Sequence, residues 1–216
     1  IYVKLKPEEL RLYAVTDRAW TEGTEGVCRQ VEAAVRGGAT FVQLREKHLE
    51  HDEFLAEARA VVALCRALGV KCVINDDVDI AVESGADGVH VGQSDMEALD
   101  VRAILGPDKI LGVSAQTVEQ AVLAEKHGAD YLGVGAVFPT GSKDDADDVS
   151  YDTLKAICQA VSIPVVAIGG ITQQNVEKLA GSGICGVAVI SAIYAAKNIG
   201  QASKDLKAAT EKMLHD

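Results

Sequence analysis

Residues His127–Leu132 read HGADYL, and the same pattern recurs as GGATFV at Gly37–Val42, SGADGV at Ser84–Val89 and SGICGV at Ser182–Val187. Each copy has a Gly where a helix would end and begins an apolar run within a few residues. A Gly just past a helix terminus can take the left-handed conformation that closes the last turn. Each copy therefore reads as a helix-to-strand junction. Outward from these junctions, the chain alternates short apolar runs with longer amphipathic ones.

The apolar runs are Arg11–Thr16, Phe41–Leu44, Lys71–Ile74, Gly88–Val91, Ile110–Ser114, Tyr131–Val134, Pro164–Ile168 and Gly186–Ile190. They are short and nearly continuous, as parallel strands covered on both faces are. Between them, Glu53–Leu68 places Phe54, Ala58, Val61, Val62 and Cys65 on one helical face, and Val118–His127 and Tyr151–Val161 behave similarly. Eight strand–helix units in 216 residues give about 27 residues each, near the lower limit for a barrel of this kind. The fold expected is α/β: a single (β/α)8 TIM barrel over residues 1–216, with no room for a second domain. A doubly wound open sheet is the alternative, but GxGxxG is absent after the first strand and no half-way switch is obvious.

Composition narrows the function. The formal net charge is −11, which repels nucleic acid and anionic lipid. Aromatic residues make up 4% of the chain, too few for a base-stacking surface. Neither nucleic acid nor membrane is expected as a partner, and the sequence leaves the oligomeric state open. An anionic substrate would need a local basic site or a metal. The five cysteines are scattered, odd in number and without CxxC, which suits reduced thiols in a reducing compartment. The first residues, IYVKLKPEEL, hold no apolar signal core, and no run nears the ~18 apolar residues of a membrane span. A cytoplasmic protein is expected.

Barrel active sites lie at strand C-terminal ends, and the polar residues concentrate there. Gln43, Arg45 and Lys47 alternate after the second strand, so an extended segment puts them on one face. Two cations and an amide at a barrel mouth suit a diphosphate or another anion; a solvated charged loop is the plain alternative. Asp76 and Asp95 follow the third and fourth strands and could share Mg²⁺, or Asp76, Asp77, Ser94 and Asp95 could simply cap helices. His90 and His127 have no partner at zinc-ligand spacing and read as structural. Gly169-Gly170-Ile171 after the seventh strand reads as a phosphate cradle, joined by Ile190-Ser191 at a helix start. The loop PTGSKDDADD, Pro139–Asp148, is either a solvated connection or a lid whose Thr140 and Ser142 bind one phosphate while Lys143 neutralises another.

In order along the chain, LYAVTD, VQLREK, INDD, DGVHVGQSD, LGVSAQT, YLGVGAVFPTGSK, IPVVAIGGI and VAVISAI resemble the thiamine phosphate synthase (thiamine-phosphate pyrophosphorylase) family from about Leu12 to about Ala195. The resemblance implies a transferase that joins a pyrimidine methyl diphosphate to a thiazole monophosphate, releasing pyrophosphate. It implies a pyrimidine diphosphate site at Gln43, Leu44, Arg45, Glu46, Lys47, Asn75, Ser114 and Lys143, and Mg²⁺ as cofactor on Asp76 and Asp95. It implies a thiazole phosphate site at Thr140, Gly141, Ser142, Gly170, Ile190 and Ser191. Arg45, Ser114 and Lys143 would be catalytic, in a dissociative substitution. Ser142 stands where the family often has a second Thr, and it keeps the hydroxyl. Two rival readings remain: a thiazole tautomerase, which needs no diphosphate and metal site, and a catalytically silent metabolite-binding regulator.

Overall fold

A computed structural model describes residues 4–93, 97–139 and 148–216. Eight parallel strands close a barrel in sequence order: β1 Leu12–Val15, β2 Phe41–Leu44, β3 Lys71–Asn75, β4 Gly88–Val91, β5 Ile110–Ala115, β6 Tyr131–Val134, β7 Val165–Ile168 and β8 Gly186–Val189. β8 pairs back onto β1, with Tyr13 opposite Ala188. Each strand lies within one residue of an expected run. Around the barrel run helices α1 Gly23–Gly37, α2 His51–Leu68, α3 Val78–Ser84, α4 Ala98–Leu105, α5 Val118–Lys126, α6 Tyr151–Ala160, α7 Ser191–Tyr194 and α8 Ile199–His215.

One unit departs from the expected eightfold pattern. After β7 the chain forms only a 3-10 turn, Val176–Leu179, against which α8 packs. Local side-chain bonds compete with the helix there. The Thr172 N–H donates to Asn175 Oδ1 at 2.8 Å, and Asn175 Nδ2 donates to the Gly170 carbonyl at 2.9 Å.

The junction repeat has a second role besides its glycines. Gly85 and Gly128 close their helices at φ of 73° and 99°, as expected. The fourth position of the repeat then ties each strand start to the preceding strand. Asp87 accepts from the Cys72 N–H at 2.8 Å, Asp130 from the Leu111 N–H at 2.8 Å, and Thr40 from the Leu12 N–H at 3.0 Å. Cys185 has no such acceptor and uses its backbone alone, its N–H donating to the Val165 carbonyl at 2.9 Å.

Period-two alternation sorts the strand residues. Leu12, Ala14, Val42, Leu44, Ile74, Val89, Leu132 and Val187 face the helices in the larger core cluster. Tyr13, Phe41, Val73, Ile110, Tyr131 and Val166 fill the barrel interior. The rings of Tyr13, Phe41 and Tyr131 pack there, with centroids 4.7 to 5.8 Å apart. Below them the 3-10 turn Pro7–Leu10 closes the floor, with Leu10 fully buried in the same cluster. Lys4 and Lys71 pin this plug: Lys4 Nζ lies 2.9 Å from Asp130, and Lys71 Nζ donates to the Lys4 carbonyl at 2.7 Å.

Candidate active site at the strand C-terminal ends

Two residues beyond the interior ring layer, the inward positions become polar. Gln43 on β2, Asn75 on β3 and His90 on β4 are buried, and Ser114 on β5 is half-buried. The Gln43 amide donates to the Tyr13 hydroxyl at 2.8 Å. His90 bonds the Ser114 hydroxyl through Nε2 at 2.8 Å and the Tyr131 hydroxyl through Nδ1 at 2.9 Å. His90 thus touches a predicted site residue, which the sequence reading of a merely structural histidine missed. Its place two positions after Gly88, level with Gln43 and Asn75, was the available signal.

Above this layer the segment after β2 divides its side chains. Lys47 Nζ lies 3.1 Å from Asp76 Oδ2 across the mouth. Arg45 lies 3.8 Å from Asp17, and its N–H donates to Thr16 Oγ1 at 2.9 Å. The Glu46 carboxyl accepts from Arg18 Nε at 2.8 Å, and the same guanidinium bonds the buried Glu57 of α2. Burial, and then the adjacent Glu57 carboxyl, push the Glu46 carboxyl up to about 7 against the opposing effect of Arg18. So Arg45 and Lys47 each have a carboxylate partner, while the Glu46 carboxyl ties the segment to Arg18. An ion pair as open as Lys47–Asp76 contributes ~0–1 kcal/mol, so an incoming anion or cation can displace it at little cost.

Backbone geometry separates the two aspartates after β3. Asp77 caps α3, its Oδ1 accepting from the Ile80 N–H at 2.9 Å. Asp76 makes no cap and is the one non-Gly residue with positive φ among the described residues, at 68°. Its N–H donates to the His90 carbonyl at 2.8 Å, which holds the turn in place. The left-handed conformation costs a non-Gly residue about 1 kcal/mol, though Asp tolerates it better than most. A cleft of about 410 Å³ opens here, lined by Glu46, Lys47, Asn75, Asp76 and Asp77 with apolar Leu49, Phe54 and Val78.

On the far side, Gly169 and Gly170 follow β7 with φ of 103° and 65°. A Cβ on Gly170 would lie 2.5 Å from the Pro139 carbonyl oxygen and 2.9 Å from Phe138 Cβ. The Phe138 N–H donates to the Gly169 carbonyl at 3.1 Å. The glycine pair is therefore clamped to the start of the loop after β6, a contact that the sequence did not disclose. Ser191, exposed, opens α7 directly after buried Ile190. Leu44 faces outward in the helix-side core, so only its backbone can serve a ligand. Asp95, Thr140, Gly141, Ser142 and Lys143 lie outside the described residues.

The chain matches the family model for thiamine monophosphate synthase over residues 12–193. It is 49% identical over 195 residues to a thiamine-phosphate synthase of Clostridium tetani, covering 90% of this chain and 93% of that one. A thiamine-phosphate synthase of Ruminiclostridium cellulolyticum is 50% identical over 203 residues, covering 94% and 93%. The solved thiamine phosphate pyrophosphorylase of Pyrococcus furiosus superposes with a TM-score of 0.88 at 37% identity, over 96% of this chain and 98% of that one. With a closed barrel, a polar rim and relatives this similar along nearly its whole length, the chain belongs to the thiamine monophosphate synthase family.

Proposed function

We propose that this barrel performs its family's reaction, the synthesis of thiamine phosphate, through two half-sites on one rim. The observation that carries the reading is Asp76: released from capping by Asp77, it presents its carboxylate beside Lys47 at the mouth. A carboxylate in this setting is a hard oxygen donor suited to Mg²⁺, and Asp76 and Asp95 would hold that ion. When bound, Mg²⁺ neutralises charge on the diphosphate oxygens.

The side chains would do the rest. Gln43, Asn75 and Ser114 would seat the pyrimidine diphosphate on the inner layer. Arg45, Lys47 and Lys143 would supply positive charge where negative charge grows as pyrophosphate departs. The electron-rich aminopyrimidine then carries the positive charge on its methylene until the thiazole nitrogen attacks. No base is needed for that substitution, so the protein's task is positioning and charge stabilisation. Thr140, Gly141, Ser142, Gly170, Ile190 and Ser191 would hold the thiazole monophosphate. The clamp between Phe138–Pro139 and Gly169–Gly170 joins the loop after β6 to that phosphate site. Closure of the loop would keep water from the cation.

We read the protein as cytoplasmic on its five free thiols. Among the described residues, no helix is long and apolar enough to cross a membrane. Incubation with both substrates and Mg²⁺ should yield thiamine phosphate and pyrophosphate in equal amounts. Rearrangement of the thiazole without coupling, or binding without turnover, would overturn the reading. Lys143→Ala should lower kcat about 10²-fold or more, equivalent to about 2.7 kcal/mol. An unchanged kcat would leave Lys143 a surface lysine.

A further inference from the structure

Five side chains form one continuous hydrogen-bonded chain across the barrel. Gln43 Nε2 meets the Tyr13 hydroxyl at 2.8 Å, Tyr13 meets Tyr131 at 2.5 Å, Tyr131 meets His90 Nδ1 at 2.9 Å, and His90 Nε2 meets Ser114 at 2.8 Å. The two phenols are 118 residues apart in sequence and almost fully buried. The barrel makes room for the chain. A Cβ on Gly112 would lie 2.2 Å from the Tyr131 ring, and one on Gly133 would lie 3.3 Å from His90. Burial raises both phenols well above the ordinary tyrosine value, so each keeps its proton and has one hydrogen to give.

The inventory of donors makes such a chain directional. A phenol gives one hydrogen and a neutral imidazole gives one. If Gln43 donates to Tyr13, then Tyr13 donates to Tyr131, Tyr131 to His90 Nδ1, and His90 Nε2–H to Ser114. Ser114 must then send its own hydrogen elsewhere, and the mouth is open to it. If Gln43 turns its carbonyl to Tyr13 instead, every bond reverses and Ser114 spends its hydrogen on His90. With the amide nitrogen toward Tyr13, Gln43 Oε1 makes no hydrogen bond among the described residues and is available to a donor on a ligand. An exocyclic amino group is such a donor.

We propose that Tyr13, Tyr131 and His90 are positioning residues: their one-way hydrogen-bond chain makes Ser114 a donor toward the leaving diphosphate when an amino group occupies Gln43. The inference rests on the proposed placement of the pyrimidine diphosphate at Gln43 and Ser114. It adds a coupling between recognition at one wall of the barrel and leaving-group stabilisation at the other. Bonds in such networks reinforce one another, so breaking one joint disables the whole.

The test uses Tyr131→Phe, Tyr13→Phe and the double variant, each assayed for kcat, for both KM values and by thermal unfolding. The expected result is a kcat lowered about fivefold or more in each single variant, with no larger loss in the double variant than in the weaker single one. KM for the thiazole monophosphate should stay within about twofold, because the chain does not reach that half-site. A folded single variant that keeps more than about one-fifth of wild-type kcat overturns the proposal, as does a double variant whose loss is the product of the two singles. A merely structural role would instead follow the thermal midpoint. Should Tyr131→Phe fail to fold, Tyr13→Phe breaks the chain at its other joint. Its loss should vanish when placed on Ser114→Ala, and persistence there would also overturn the proposal. Failure of the wild type to make thiamine phosphate would instead sink the functional reading.

Discussion

Burial and the neighbouring Glu57 carboxyl raise the Glu46 carboxyl to about 7, so the folded chain holds this proton more tightly than the unfolded one. An unfolded Glu titrates near about 4.3. The stability this group contributes is therefore present below that value and lost as pH rises through about 7. Glu46→Gln keeps the neutral shape and removes the titration. In urea unfolding between about pH 5 and about pH 8, the wild-type midpoint should fall with rising pH and the variant's should fall less. Parallel profiles would mean that Arg18 keeps Glu46 ionised throughout. Gly170 gives a second test. Gly170→Ala should raise KM for the thiazole monophosphate about tenfold or more, because the added Cβ meets the Pro139 oxygen where the proposed phosphate cradle joins the loop. Equal rises for both substrates would count against the division of the rim. At this scale the sequence was informative about type and position but not about direction. It offered Asp76 as a ligand and Asp76 or Asp77 as a cap, and the Asp77–Ile80 bond with the positive φ of Asp76 gives the cap to Asp77.

The β3–α3 junction shows how one short element serves two ends. Asp77→Ala removes a helix cap and should cost about 1 kcal/mol of stability while leaving the proposed Mg²⁺ dependence unchanged. Asp76→Asn should do the reverse, raising the Mg²⁺ needed for half-maximal turnover with little change in the unfolding midpoint. A shared loss of both properties would show that the two side chains cannot be assigned separately. The strands were legible because burial on both faces leaves a continuous apolar signature, and the junction glycines because their chemistry is local. The missing helix after β7 was not legible. Its replacement by a 3-10 turn depends on Thr172 and Asn175 bonding each other and the Gly170 carbonyl, which no periodicity reports. Nor did the repeat disclose that Thr40, Asp87 and Asp130 each fasten one strand to the strand before it.

Across the whole barrel, the contacts hardest to read from sequence are those between distant strands. Tyr13 and Tyr131 stand on β1 and β6, and closure of the sheet makes them partners. The rim residues were readable because barrel topology gathers all strand ends at one mouth, whatever their separation along the chain. The opposite end has its own test. Leu10 is fully buried beneath the interior rings, and Leu10→Ala should cost about 2–5 kcal/mol as a cavity-forming change in the floor. A loss under about 1 kcal/mol would mean that the Lys4 and Lys71 contacts close the floor without it. That plug also governs traffic. A vessel stoppered below has its doorway at the rim, so whatever reaches the layer of Gln43, Asn75 and Ser114 comes in from above.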